Sequence, residues 1–236
     1  IMQPLRERWE AVKAAAVQHH DSGDDKKARE EVQAYHRHLT EIRVLDPACG
    51  SGNFLYVALA RMKELEAEVL DVFEELGGNR TLEMDTLKVR PGQFWGLEIN
   101  EKAVAIAQLV LWIGYFQWHH KTTGEADTND RPLLPKQNTI IHHDAVLAYD
   151  EKIPRTDEDG KVITIWDGRT TKTHPVTGRE VPDETARMPV FDYTQPRRPE
   201  WPDADYIIGN PPFLGAKDMR AALGDGYTEA IRKAWN

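Results

Sequence analysis

The chain has 236 residues, of which 40% are apolar, and this is enough for one sizeable α/β core. Its single cysteine, Cys49, excludes a disulfide framework and a multi-cysteine metal site, and it suits a reducing cytoplasm. The formal net charge of -9 argues against strong nucleic-acid binding by this stretch alone, because such binding depends on Lys and Arg that neutralise phosphates. The most apolar stretch, residues 103–118, is shorter than the roughly 20 residues of a membrane span, so we expect a buried core helix there.

The first 40 residues are predicted to form a helical lead-in. Leu5, Trp9 and Ala16 recur at helical spacing, and Val32 and Leu39 do so again after a polar break. The segment contains many charged side chains and does not resemble a signal peptide. A chain that begins without Met and ends soon after its last motif is expected to be part of a longer protein, and a basic surface is expected in the remainder.

From residue 41 onward, strands and helices are predicted to alternate. The strands are placed at residues 43–45, 94–99, 139–142 and 206–208, and the long helices at 53–76 and 101–118. This order is typical of a doubly wound, mostly parallel α/β sheet. Such sheets bind ligands beyond the carboxyl ends of their strands, so the residues that follow each strand are the candidates for a site.

The turn between the first strand and the helix at 53–76 is rich in small residues: Asp46, Pro47, Ala48, Cys49, Gly50, Ser51 and Gly52. Glycine lets the chain approach a ligand closely, and N–H groups at the start of a helix face that ligand. The turn lacks the Lys of a phosphate loop and the spacing of the dinucleotide fingerprint. We interpret it as a nucleotide-type site, with an ordinary tight turn as the alternative.

One acidic residue stands at the carboxyl end of the second strand and another just past the third. Glu98 stands where an acidic side chain of a doubly wound sheet accepts hydrogen bonds from ribose hydroxyls. A solvated glutamate at a strand end is the alternative. Asp144 is a candidate to receive the amino group of an adenine ring, and a loop or helix-capping aspartate is an equally good interpretation of the sequence.

The tetrapeptide Asn210, Pro211, Pro212 and Phe213 follows the fourth strand. The prolines make the turn stiff and remove two N–H donors, so carbonyl oxygens are free to accept bonds from a ligand. If the side-chain carbonyl of Asn210 and the main-chain carbonyl of Pro211 each accept one N–H of an amino group, the nitrogen lone pair becomes nucleophilic. Phe213 offers a face for a flipped base, an interaction worth about 1–3 kcal/mol. A surface turn is the alternative, and the position directly after a strand argues against it.

These motifs together resemble the N6-adenine DNA methyltransferases of restriction-modification and phage-defence systems, which use S-adenosylmethionine. The resemblance covers about residues 43–215. It implies that residues 46–52 wrap the methionine moiety of the cofactor. It also implies that Glu98, with Ile99 beside it, holds the ribose, and that Asp144, with Ala145, holds the cofactor's adenine. Residues 210–213 would then methylate N6 of an adenine flipped out of duplex DNA.

The resemblance also implies partners. The chain supplies fewer strands than the sheet of this family has, so we expect a fold that is incomplete at its C-terminal side, and a target-recognition domain beyond it. A linked nuclease or subunits of a defence complex are further candidate partners, and no membrane is expected.

Other planar amino groups stay open as acceptors: a protein glutamine, guanine N2 in RNA, or cytosine N4. A non-catalytic cofactor- or DNA-binding subunit is the alternative from a different class, and the intact motif at 210–213 argues against it.

Two further features complete the sequence-based expectations. An insertion at about residues 150–203 is predicted to contain a hairpin, with strands 162–166 and 169–173 around Asp167-Gly168 and prolines keeping the rest extended. A solvated loop is the favoured interpretation of this insertion. Its cations are nevertheless candidates for phosphate contacts: Arg155, Arg169, Lys172, Arg197 and Arg198. Lys217 and Arg220 are better candidates for a contact with the DNA backbone. No metal is expected, because the adjacent pairs His119-His120 and His142-His143 do not point at one ion.

Overall fold

The structure is a computed structural model that describes residues 1–79, 87–123, 138–211, 219–220 and 223–236, with the backbone alone at 119 and 121–123. In chain order its elements are α1 (Met2–Asp21), α2 (Asp25–Glu41), β1 (Val44–Asp46), α3 (Asn53–Glu75), β2 (Phe94–Glu98), α4 (Glu101–Thr123), β3 (Ile140–His142), β4 (Lys152–Pro154), β5 (Thr164–Trp166), β6 (Thr171–Thr173), β7 (Glu180–Pro182), β8 (Arg187–Pro189), β9 (Phe191–Tyr193), β10 (Tyr206–Ile207) and α5 (Asp225–Trp235). They form two compact units, the first from Ile1–His143 with Trp201–Pro211 and the second from Asp144–Glu200 with Pro212–Asn236.

The first unit is built on a four-stranded parallel sheet in the order β10-β1-β2-β3. Helix α3 connects β1 to β2, and α4 connects β2 to β3. The predicted α/β class with parallel pairing is therefore confirmed. Strand β10 joins on the other side of β1, so the strand order reverses between β1 and β10. In open α/β sheets this reversal opens a crevice at the carboxyl ends of the two strands.

Helices α1 and α2 contribute to the same hydrophobic core as α3, α4 and the sheet. Asp24 caps α2 by accepting the backbone N–H of Lys27 at 3.1 Å. The apolar side chains predicted at helical spacing are buried in this core: Leu5, Trp9, Ala16, Val32 and Leu39. The indole N–H of Trp9 donates to Glu68 on α3 at 2.9 Å, which ties the lead-in to the first crossover helix.

Helix α4 is a core helix on one side only. Its buried stripe is Val104, Ala107, Leu111 and Tyr115, at the spacing of one helix face. On the other side Ile106, Leu109 and Ile113 are 50%, 60% and 44% exposed. The expected buried core helix is therefore buried along one face only, because apolar composition does not indicate how many neighbours a helix has. No helix among the described residues is long and apolar enough to cross a membrane.

The second unit contains an interrupted antiparallel ribbon. Strand β4 pairs with β9, β5 with β8, and β6 with β7, so the pairs are nested around the segment between β6 and β7. The predicted hairpin of residues 162–166 with 169–173 is wrong. Asp167 does form a turn, since its Oδ1 accepts the N–H groups of Arg169 and Thr170 at 3.0 and 2.9 Å. Strands β5 and β6, on either side of that turn, pair with β8 and β7 and not with each other. A turn sequence does not determine which strands pair.

Candidate functional site

The first unit brings two of the predicted motifs to the point where the strand order reverses. Strand β1 ends at Asp46, and β10 leads into Gly209 and Asn210. The N–H of Ile208 donates to the carbonyl of Leu45 at 2.8 Å, which continues the pairing beyond β10. A Cβ atom on Gly209 would lie 2.8 Å from Oδ1 of Asp46, so only glycine lets the backbone pass this close. Gly209 is therefore in contact with Asp46, the first residue of the turn at residues 46–52, which we call the glycine turn.

The glycine turn is held in place by β2 and α4. The N–H of Cys49 donates to the carbonyl of Leu97 at 3.1 Å. Gly50 and Gly52 have φ angles of +54° and +82°, a region that favours glycine. A Cβ atom on Gly52 would lie 3.0 Å from the Cβ of Ala107, whereas one on Gly50 would meet nothing within 4 Å. Open space at Gly50 fits a ligand that lies along the turn.

Asp46 is fully buried and only half of its carboxylate is hydrogen-bonded. Oδ1 accepts the N–H of Ala48 at 3.0 Å, and Oδ2 has no hydrogen-bond partner among the described residues. Burial raises the pKa of Asp46, and the charge of Glu98 raises it further against the lowering effect of the Ala48 N–H. Buried polar groups are normally paired, so an unpaired carboxylate oxygen here is a vacant acceptor for a ligand donor.

Glu98 lies at the end of β2, and each of its carboxylate oxygens accepts one hydrogen bond from the described residues. Oε2 accepts the N–H of Gly50 at 2.9 Å, and Oε1 accepts the N–H of Asn100 at 2.8 Å. A carboxylate oxygen can accept two hydrogen bonds, so each oxygen retains one acceptor position. Two fixed acceptor oxygens side by side can each accept a hydrogen bond from one of two neighbouring hydroxyl groups on a ligand. Ile99, the next residue, is 69% exposed, and its carbonyl accepts a bond from Nε2 of His142 at 2.9 Å.

Asn210 and Pro211 are exposed at the end of the β10 segment. Pro212, Phe213 and Lys217 lie outside the described residues, so the stacking role of Phe213 stays a prediction. In the turn that precedes α3, Pro47, Ala48 and Ser51 are half-buried. Cys49 is buried, and burial raises the pKa of its thiol to about 12. A neutral thiol is a poor nucleophile, so Cys49 has a packing role at this site.

Asp144 and Ala145 belong to the second unit, and Asp144 follows directly after His143 of the first. Oδ1 of Asp144 accepts the N–H groups of Val146 and Leu147 at 2.8 and 3.1 Å. Its Oδ2 accepts the hydroxyl of Tyr227 at 2.6 Å. Sequence reasoning missed Tyr227, since no motif marks it.

Most of the candidate DNA-contacting cations of the insertion are already engaged within the second unit. Arg155 pairs with Asp192 at 2.5 Å, Lys172 with Asp183 at 3.5 Å, and Arg197 with Asp150 at 2.6 Å. Arg198 stacks on the ring of Trp235 at 4.6 Å. Arg220, from the other predicted pair, lies 3.4 Å from Asp225. These pairs favour the interpretation of the insertion as a solvated surface.

Side chains of the metal-ligating types are not clustered in the part of the chain that the structure describes. No group of three or more His, Cys, Asp or Glu residues in that part of the chain is arranged to hold a metal ion. His142 lies close to the site, and its Nε2 is committed to the carbonyl of Ile99.

The parallel α/β sheet carries a glycine turn and an Asn-Pro turn at the strand-order reversal, and a glutamate at the end of the neighbouring strand β2. These features define the class, a Rossmann-like methyltransferase domain. Comparison with known proteins then gives the family. The chain belongs to the family of MmeI DNA-methyltransferase domains, whose model matches residues 20–234.

Two curated relatives are similar in sequence. "DNA methyltransferase A" of Bacillus subtilis (strain 168) is 35% identical over 179 residues, which are 76% of this chain and 15% of that protein. "Putative type II restriction enzyme and methyltransferase RM.MjaORFECS2P" of Methanocaldococcus jannaschii is 33% identical over 90 residues, 36% of this chain and 7% of that protein. The type IIL restriction-modification enzyme MmeI, solved in complex with DNA, is 26% identical with a TM-score of 0.43, and the match covers 61% of this chain and 19% of that one. The chain thus spans a small part of each relative's length.

Proposed function

We propose that this domain transfers a methyl group from S-adenosylmethionine to the exocyclic N6 amino group of adenine in DNA, within a restriction-modification or phage-defence system. The observation that carries the proposal is the contact between the two motifs at the strand-order reversal. Asp46 begins the glycine turn on β1, and its carboxylate lies against Gly209, which precedes Asn210. A cofactor held by the turn and an amino group held by Asn210 would therefore lie next to each other.

The residues around the glycine turn fit the cofactor. When bound, S-adenosylmethionine supplies an electrophilic methyl group on a sulfonium. The vacant Oδ2 of Asp46 suits the ammonium group of the methionine moiety, because a buried carboxylate oxygen gains most from a charged donor. The two open acceptor positions of Glu98 suit the two ribose hydroxyls. Asp144 would receive the adenine amino group.

The Asn-Pro turn would activate the acceptor. The side-chain carbonyl of Asn210 and the main-chain carbonyl of Pro211 each accept one N–H of the amino group, which draws the nitrogen lone pair out of conjugation with the ring. Pro212 stiffens the turn and Phe213 stacks on the base. Catalysis would then consist mostly of positioning and electronic tuning of the amine.

Residues outside this chain would make most of the contacts with the proposed DNA substrate. The net charge is -9, and several cations of the insertion are paired with carboxylates. A target-recognition domain and a linked nuclease are the proposed partners. The nuclease is supported by the relative from Methanocaldococcus jannaschii, which is named as both a restriction enzyme and a methyltransferase.

Calorimetric titration with S-adenosylmethionine tests the cofactor site, with wild type beside Glu98→Ala and Asn210→Ala. We expect Glu98→Ala to lose at least about tenfold in affinity, since it removes two hydrogen bonds to a charged acceptor. Asn210→Ala should bind as wild type does, because Asn210 is assigned to the acceptor base. Folded wild-type protein that shows no binding, or equal binding by all three proteins, would contradict the proposal.

A further inference from the structure

Asp144 belongs to a cluster of tyrosines in the second unit. Tyr227, on α5, donates its hydroxyl to Oδ2 of Asp144 at 2.6 Å. The Tyr227 ring meets Tyr193 edge-on at a centroid distance of 5.7 Å, and Tyr193 meets Tyr149 in the same way at 4.9 Å. Burial and the neighbouring carboxylate raise the pKa of Tyr227, so its hydroxyl is a protonated donor at neutral pH.

The hydrogen bonds of Asp144 leave room for one more donor. A carboxylate offers about four acceptor positions, two on each oxygen. Oδ1 uses both of its positions on the N–H groups of Val146 and Leu147. Oδ2 uses one position on Tyr227. With respect to the described residues, the one acceptor position that stays open is therefore on the same oxygen that Tyr227 binds.

We propose that Tyr227 is a positioning residue for the adenine ring of the cofactor. The inference rests on the proposed function, in which Asp144 receives the 6-amino group of that adenine. The Tyr227 hydroxyl occupies one lone pair of Oδ2 and thereby leaves the other as the acceptor for the amino group. The Tyr193 ring, which itself packs edge-on against Tyr149, holds Tyr227 in this orientation by its edge-on contact. Without the hydroxyl, Oδ2 is free to take a water molecule or to turn, and its preference for an amino group falls.

A purely structural role for Tyr227 makes a different prediction. If its hydroxyl only secures the loop that begins at Asp144, its removal weakens every cofactor analogue by the same factor. A positioning role weakens only those analogues that carry the 6-amino group. The ratio of two affinities within one variant separates the two roles, and a change in the folded fraction does not affect that ratio.

The experiment titrates wild type, Tyr227→Phe and Tyr149→Phe by calorimetry with two ligands. One is S-adenosylhomocysteine, and the other is its analogue with hydrogen in place of the 6-amino group. In wild type we expect the amino group to improve affinity by about tenfold or more, the value of one hydrogen bond to a charged acceptor. In Tyr227→Phe we expect this gain to fall to about threefold or less, with the affinity for the deamino analogue nearly unchanged. Tyr149→Phe is the matched control from the same cluster, since no hydrogen bond of its hydroxyl is found among the described residues, and it should keep the wild-type ratio.

The possible failures are distinguishable. A tenfold gain in wild type that persists in Tyr227→Phe overturns the inference alone. Equal affinity of wild type for the two ligands overturns the role of Asp144, and the inference with it, while methyl transfer stands. Folded wild-type protein that binds neither ligand contradicts the cofactor site and the proposed function.

Discussion

Replacing Asp46 by Asn is predicted to stabilise the unliganded domain and to weaken cofactor binding. The Asp46 carboxylate is fully buried, with one hydrogen bond from Ala48 and a vacant Oδ2 among the described residues. Asparagine has nearly the same shape, can keep the Ala48 bond through its carbonyl oxygen, and carries no charge. An unsatisfied buried polar group costs about 1–3 kcal/mol, and more if it is charged. Because the unpaired amide N–H₂ of Asn also carries a cost, we expect a net gain of about 1 kcal/mol in the free energy of unfolding at pH 7.

The pH dependence of this gain has a definite sign. Burial raises the pKa of Asp46 above its usual value. An acid whose pKa is higher in the folded than in the unfolded state stabilises the fold fully below its unfolded pKa, about 3.9, and this contribution is lost as pH rises through the folded pKa. The Asn variant has no such group. Its advantage should therefore be near zero below about pH 4 and should grow to a plateau toward neutral pH.

Denaturant unfolding of both proteins over a pH series measures this difference, with calorimetry for the cofactor. We expect Asp46→Asn to bind S-adenosylmethionine at least about tenfold more weakly, because it loses a charge-assisted hydrogen bond. An Asn variant that is less stable than wild type at pH 7, or a stability difference that does not change with pH, would refute the reasoning about Oδ2. Unchanged affinity would remove Asp46 from the cofactor site.

Three further perturbations test the packing around the site. Glu66→Ala removes a buried carboxylate whose Oε2 lies 2.5 Å from Nζ of Lys63, and we expect it to lower the free energy of unfolding by about 3–5 kcal/mol. A loss under about 1 kcal/mol in denaturant unfolding would contradict that pairing. Gly96→Ala places a Cβ 2.7 Å from Sγ of Cys49, and its cost of about 1–3 kcal/mol in thermal unfolding should be partly recovered by adding Cys49→Ala. Because burial raises the pKa of Cys49 to about 12, its thiol should react with iodoacetamide at pH 8 only after denaturation, and rapid alkylation of the native protein would show that it is accessible.

The sequence predicted those parts of the fold that depend on local patterns. The alternation of short apolar strands with long helices placed β1, β2, β3 and β10 within one or two residues of their observed bounds. The glycine turn and Glu98 were predicted to lie at the carboxyl ends of strands, and both do so, because strand ends follow directly from the pattern. The assignment of these residues to a cofactor remains a proposal.

The features that the sequence did not predict depend on partners far apart in the chain. Tyr227 contacts Asp144 across 83 residues, and no periodicity indicates such a pair. The strands beside Asp167 are in register with later strands, although the turn itself was predicted. The exposed face of α4, which includes Leu109, was missed because an apolar helix shows the same composition whether one or both of its sides are covered.

Transfer of a radiolabelled methyl group tests the central claim most directly. The protein is incubated with DNA and S-adenosylmethionine that carries the label, and the DNA is then digested to nucleosides and separated by chromatography. We expect the label to appear in N6-methyldeoxyadenosine and to be lost with Asn210→Ala. Label in N4-methyldeoxycytidine, or equal labelling by wild type and Asn210→Ala, would contradict it.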